Sequence, residues 1–252
     1  MTVYTHGHHE SVLRSHRWRT AQNSCTYLLP YLNPEQSLLD VGCGPATITA
    51  DLAHRVCTTV GIDPAADVIA AAQPDHPDLD LRVDDVYTHQ GHYDVVHAHQ
   101  VLQHVEDPVG ALRAMARMGS LIAARDSDYP GFTWAPADGR LDRWREIYLE
   151  VTRRNGAHAD AGRHLLAWAH AAGLHDITYS SSTWTFATPD ERAWWGGLWA
   201  DRTTTSAFAE QAQAYGIATA DELDEIAEGW RQWSSHADAV FVALHGEIIA
   251  RT

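Results

Sequence analysis

The residues best equipped for chemistry stand in the stretch LLDVGCGPATITADLA, Leu38 to Ala53. Gly42 and Gly44 permit a sharp turn and a close approach of ligand to backbone. Amides at the start of the following helix would face whatever binds there. Asp40 precedes the turn, and Asp63 ends the next apolar run, 21 residues after Gly42. In a doubly wound sheet an acid at that place meets ribose hydroxyls. A dinucleotide fingerprint needs G-x-G-x-x-G, but the third glycine is absent, since Thr47 stands there. A carboxylate repels a pyrophosphate and attracts an ammonium or sulfonium group. Asp40 therefore points to a cationic, amino-acid-bearing ligand.

Histidine is the usual proton acceptor near neutral pH. His99 and His104 flank the end of the run YDVVHAH, whereas alternation turns His97 into the sheet. His6, His8 and His9 form the HGHH cluster near the N-terminus. The cluster lacks carboxylate partners or a second ligand pair, so no metal is expected. Asp126 and Asp128, in RDSDYPGFTW, follow a fifth apolar run with Arg125. That is the carboxyl edge where open sheets bind ligands. Arg14 falls on the inward face of a first helix. Trp194, Trp195 and Trp199 gather in the C-terminal half, and Trp184 is the favoured wall for a flat ligand. Cys43 reads as packing.

These residues need a frame. A helix is predicted over 10–30, and strands over SLLDV, CTTVGID, LDLRVDD, YDVVHAH and SLIAARD, with helices at 45–54, AADVIAAAQ and PVGALRAMARM. Strands alternating with helices imply a parallel sheet covered on both faces. Further on, RLDRWREIYLEVTRRNG and AGRHLLAWAHAAG read as helices and ITYSSSTWTFATP as a strand. A helical stretch follows, and AVFVALHGEIIAR is the final strand. The fold class is α/β: a doubly wound, mostly parallel seven-stranded sheet, with an N-terminal helical arm and a helical insertion before the last strand. One domain spans 1–252.

The net charge is -15, and all 18 basic residues are arginine. Nucleic-acid binding needs a basic surface to neutralise phosphate, so a nucleic-acid partner is not expected. Cys25, Cys43 and Cys57 lack paired or metal-type spacing, which fits free thiols in a reducing compartment. No apolar run suggests a membrane span or a secretion signal. The 17 His and 10 Trp read as compositional bias.

LLDVGCGPA resembles the first motif of class I S-adenosylmethionine (SAM)-dependent methyltransferases. VGIDPA is similar to their ribose-binding strand end, VDDVY to their adenine loop, and YDVVHAHQVLQHVEDPVGALRAM to their fourth strand and next helix. The pattern is closest to the ubiquinone/menaquinone-biosynthesis branch and covers about residues 10–125. The resemblance implies SAM as cofactor, S-adenosylhomocysteine as product, and a small-molecule acceptor methylated on O, N or C in the cytoplasm. It implies that Asp40, Gly42 and Gly44 border the methionine portion, and that Asp63 takes the ribose, with Pro64 beside the adenine. Asp85 would accept from the adenine amino group and Val86 would offer its amide, while His99 lies near the methionine amine. Asp84 is the alternative to Asp85. Arg14 is placed at the methionine carboxylate. His99, His104 and His8 are candidate bases, and His9, Asp126, Asp128 and Trp184 candidate acceptor contacts. Residues 1–30 become an arm, 31–130 the SAM core, and 131–252 a C-terminal part with a lid at about 190–233. Ala46 departs from the family's third glycine. The competing readings are a SAM-binding fold with other chemistry, and a non-catalytic SAM-binding module.

Overall fold

The computed structural model describes residues 10–252. In chain order the elements are α1 (Glu10–Arg17), α2 (Ala21–Ser24), β1 (Ser37–Val41), α3 (Thr47–Ala53), β2 (Thr58–Asp63), α4 (Ala66–Ala72), β3 (Asp80–Val83), β4 (Tyr93–His99), α5 (Pro108–Met118), β5 (Gly119–Ser127), β6 (Thr133–Ala135), α6 (Gly139–Arg154), α7 (Ala161–Ala172), β7 (His175–Phe186), α8 (Pro189–Thr205), α9 (Ala207–Ala214), α10 (Ala220–Ser235) and β8 (Val240–Arg251). They form two compact units.

The first unit comprises His16–Ser127, Ala161–Ser182 and His245–Thr252. Its strand order is β3-β2-β1-β4-β5-β8, with β7 also pairing β8. The pairs β1–β2, β1–β4, β2–β3 and β4–β5 are parallel, and β5–β8 is antiparallel. Alternation divides the core. Leu39, Val96, Ile122 and Ala124 pack on the side of α5 and α7, and Leu38, Val95, Leu121 and Ala123 on the side of α2 and α3. With both faces covered, these strands read as apolar runs. The chain steps outward from β1 to β2 and later returns to β4 on the other side of β1. The crevice at the carboxyl ends of β1 and β4 is therefore the switch point where such sheets take ligands.

The helix predicted over 10–30 is broken in two. The Thr20 hydroxyl accepts from the Asn23 amide while the Asn23 side chain accepts from the Thr20 amide, a reciprocal cap that starts α2 afresh. The start of α5 is legible: Asp107 caps the Gly110 amide at 2.8 Å and Pro108 occupies the first helical position.

The second unit holds Asp128–Asp160 and Thr183–Leu244 with the described residues 10–15. It contains α6, α8, α9, α10 and β6, a three-residue strand paired with Val240–Val242 of β8. β6 is the eighth strand among the described residues where the sequence predicts seven. The unit's core is aromatic: Trp144 meets Trp199 at 4.5 Å and 70° and Trp230 at 5.0 Å and 86°. Tyr148 and Phe241 complete the cluster. Edge-to-face pairs of this kind add about 0.5–1.5 kcal/mol each beyond burial. Trp144, Trp199 and Trp230 thus serve as packing in this unit.

Candidate active site

The turn after β1 is built on left-handed backbone: Gly42 has φ +66° and Gly44 φ +55°. A Cβ on Gly42 would stand 2.5 Å from Val101 Cγ2, whereas one on Gly44 would meet no atom within 4 Å. The turn is thus pressed against the β4–α5 connection at one glycine and open at the other. The Cys43 amide donates to Ile62 O at 3.0 Å, tying the turn to β2. The Cys43 thiol is pushed well up by burial and by Asp40 and Asp63, so it is inert packing. Ala46 also adopts φ +61°. Left-handed backbone costs an L-residue about 1–2 kcal/mol, and burying the Ala46 methyl offsets about 0.8 kcal/mol of it. Alanine is tolerated in the third-glycine position for that reason.

Asp63 stands at the tip of β2. Its Oδ2 accepts from the Gly44 amide at 3.1 Å and its Oδ1 from the Ala65 amide, just past Pro64, at 2.9 Å. These bonds fix the carboxylate's orientation beside the turn. After β3 the two adjacent acids separate by role. Asp84 holds His89 at 2.7 Å, the Asp85 amide at 2.8 Å and Thr88 at 3.2 Å. His89 first, then the Asp85 amide, lowers its carboxyl below the usual range. Asp85 accepts on Oδ1 from the Tyr87 amide at 2.7 Å, and its Oδ2 accepts from no described residue. Val86 is buried in the core beside it.

Asp40 points inward. It is buried, accepts from the Thr49 hydroxyl at 2.6 Å, and takes a hydrogen bond from His97 Nδ1 at 2.8 Å. His97 Nε2 lies 3.4 Å from Cys25 Sγ. The register pairs Asp40 directly with His97 across β1 and β4. Burial alone would lower the His97 imidazole, but Cys25 and Asp40 outweigh it and raise it to about 10. The two side chains form a buried pair 2.8 Å apart, so Asp40 already has partners inside the fold. Asp63 and Asp85 are left to supply the acidic character of the strand tips. His97, passed over in the sequence as sheet packing, holds this arrangement together.

At the end of β4, His99 is buried and its Nε2 accepts from Arg125 Nη1 at 3.3 Å. Burial, then Arg19 and Arg125, push its imidazole well below the ordinary value. His104 is pushed down to about 3, by burial and then by Arg19. Burial thus favours the neutral ring at neutral pH. The His104 ring resonances are expected to stay flat between pH 5 and 8 in an NMR titration. A midpoint near 6.5 would show that the ring is not held neutral by burial. Arg125 is not a surface group: its Nε donates to Glu247 at 3.1 Å and to Ser182 at 3.2 Å, with Ser180 on the other Glu247 oxygen at 2.9 Å. Asp126 is fully buried, accepts from the Gln103 amide at 3.1 Å, and is raised by burial to about 7. Its bond to Gln103 anchors the 3-10 turn Leu102–His104.

Of the remaining candidates, Arg14, Asp128 and Trp184 belong to the second unit. Arg14 pairs with Asp201 of α8 at 3.4 Å, both partly exposed. Asp128 and Trp184 are buried in the aromatic unit, as are Trp195 and Trp199, which pack in its core. His8 and His9, with His6, lie outside the described residues. Among the described residues no three His, Cys, Asp or Glu side chains gather as metal ligands. Arg19, unremarked in the sequence, is the cation whose field reaches His99, His104 and Asp126.

Comparison with known proteins agrees with this architecture. The methyltransferase domain family matches residues 13–179. An uncharacterised methyltransferase of Schizosaccharomyces pombe is 27% identical over 98% of this chain and 95% of its own length. A ubiquinone biosynthesis O-methyltransferase of Hydrogenovibrio crunogenus is 33% identical over 32% of this chain and 37% of its own. The fold is similar to the YcgJ protein of Bacillus subtilis, with TM-score 0.57, 15% identity and coverage of 89% of this chain and 96% of that one. It is also similar to a Haemonchus contortus phosphoethanolamine N-methyltransferase solved with phosphomonomethylethanolamine and S-adenosylhomocysteine, with TM-score 0.52, 14% identity and coverage of 87% and 49%. With a glycine turn at the switch point, acids on the neighbouring strand tips and a family match over more than half its length, the chain belongs to the methyltransferase domain family, as a class I SAM-dependent methyltransferase.

Proposed function

We propose that the chain transfers the methyl group of SAM to a small-molecule acceptor. The observation that carries this is the left-handed turn at the switch point, open at Gly44 and flanked by Asp63 and Asp85 on the next two strand tips. The donor set fits the cofactor. An open glycine cradle suits a bulky ligand on the backbone, Asp63 suits a ribose diol, and the Asp85 oxygen suits an amino hydrogen of adenine. Gly42 and Gly44 would border the methionine portion, with Pro64 and the Val86 amide at the base and the end of β4 at His99 near the amine. Arg14 would face the methionine carboxylate, and Arg19, whose field reaches His99 and His104, is a second cation for it. Bound SAM supplies an electrophilic methyl on a positively charged sulfur. The protein's part is to fix that methyl in line with a nucleophile, and such positioning is worth about 7–11 kcal/mol.

A small acceptor fits the charge of -15 better than a nucleic acid does. The free thiols of Cys25, Cys43 and Cys57 fit a reducing compartment, and we place the protein in the cytoplasm. No helix among the described residues is long and apolar enough to cross a membrane. The test is incubation with methyl-labelled SAM and a panel of phenols, quinols and amines, read by mass spectrometry. One acceptor is expected to gain a labelled methyl in equal amount to the S-adenosylhomocysteine released. Tight binding of SAM with no labelled product across the panel, and none from a metabolite extract, would favour a non-catalytic module.

A further inference from the structure

We propose that Gln100 orients the methyl acceptor, its amide oxygen taking a hydrogen bond from an O–H or N–H group on the nucleophilic atom. The inference rests on the methyl-transfer reading above and names the residue and the acceptor chemistry. Gln100 directly follows β4 and has φ +55°. Glutamine has no special tolerance for left-handed backbone, unlike glycine or asparagine. Such a residue persists only where its surroundings over-determine it, and such places cluster at functional sites.

Here the surroundings are explicit. The Gln100 amide donates to Arg125 O at 2.7 Å. Its side-chain nitrogen lies 2.9 Å from Ser127 Oγ and 2.9 Å from His245 Nε2. Ser127 and His245 are register partners on β5 and β8, and both are buried. Both N–H groups of the Gln100 amide are thus spent on a rigid strand pair, which fixes the amide plane. Its oxygen accepts from no described residue. Gln100 is half-buried rather than sealed.

The position supplies the rest. Val101, the next residue, is the side chain that a Cβ on Gly42 would strike. The anchored amide therefore stands one residue from the cofactor turn, at the switch point of the sheet. An oriented oxygen with no hydrogen to give accepts from a hydroxyl or from a neutral primary or secondary amine. A nucleophile without a hydrogen, such as an ether or a tertiary amine, would leave that oxygen unmatched. Sites built on one polar contact reject the analogue that lacks it more strongly than apolar pockets reject a missing methylene.

The experiment uses the full chain loaded with S-adenosylhomocysteine, checked by calorimetry, and then titrated by ligand-observed NMR with phenol, aniline and their capped forms, anisole and N,N-dimethylaniline. The wild type is expected to bind the hydrogen-bearing fragments at least tenfold more tightly than the capped ones. Gln100→Leu is expected to reduce that preference to within threefold while leaving S-adenosylhomocysteine affinity within threefold of wild type. Gln100→Glu, which keeps an acceptor, should keep the preference. Should Gln100→Leu fail to fold, Gln100→Asn, tolerant of the backbone but one methylene shorter, is expected to show the same loss. The proposal is overturned by no preference or no fragment binding in the wild type, by a preference that survives in Gln100→Leu or Gln100→Asn, or by loss of S-adenosylhomocysteine affinity in those variants. A wild type that does not bind S-adenosylhomocysteine overturns the methyl-transfer reading instead, before any fragment is added.

Discussion

Replacing His97 with alanine is expected to destabilise the protein by about 3–5 kcal/mol, the usual consequence of leaving one partner of a buried ion pair without the other. Asp40 would keep Thr49 but lose the imidazolium that meets its charge, at a position 2% exposed. Urea denaturation at neutral pH checks the size of the effect. The pH dependence checks its cause. The folded His97 is raised to about 10 against about 6.5 in the unfolded chain. Its contribution is therefore fully present below pH 6.5 and is lost as pH rises through 10. The wild type should lose stability over that alkaline window, and His97→Ala should not share the loss. In the combined Asp40→Asn, His97→Ala variant the costs of the two single substitutions should be clearly less than additive. Additive losses, or an alkaline slope that survives without His97, would mean that the pair is not ionised.

That pair shows where sequence reasoning stops. Alternation along β4 correctly turns His97 into the sheet, but the partner it meets depends on β4 lying beside β1 in a register that faces it with Asp40. Strand adjacency is not written in either segment. The alternation of strands and helices is legible because parallel strands buried on both faces must be apolar. β6, three residues long, carries too little pattern to be seen. The helix over 10–30 fails for a local reason, the Thr20–Asn23 cap overriding a continuous apolar face. Arg14 and Arg19 are near neighbours in the chain, yet Arg14 pairs with Asp201 while the field of Arg19 reaches His99 and His104. Gln100 is the least legible, since nothing about a glutamine in a sequence announces a left-handed backbone.

Replacing Asp63 with alanine is expected to weaken S-adenosylhomocysteine binding by about 100- to 1000-fold. Under the proposed reading the carboxylate takes two ribose hydroxyls, and hydrogen bonds to a charged group contribute about 1.5–3 kcal/mol each. A second effect adds to the first. Asp63 also receives the Gly44 and Ala65 amides, so its loss frees the glycine turn from the tip of β2. The two effects separate by substitution. Asp63→Asn keeps an acceptor oxygen for one amide but lacks the charge, so it should hold the fold by far-ultraviolet circular dichroism while losing affinity by about 10- to 100-fold. Adenine alone, which lacks the ribose, should bind wild type and Asp63→Asn equally well, whereas adenosine should distinguish them. Equal adenosine affinity in the two proteins would show that Asp63 serves only to brace the turn. The acid on the β2 tip would then belong with Asp40 and Asp84, among the carboxylates the fold spends on itself.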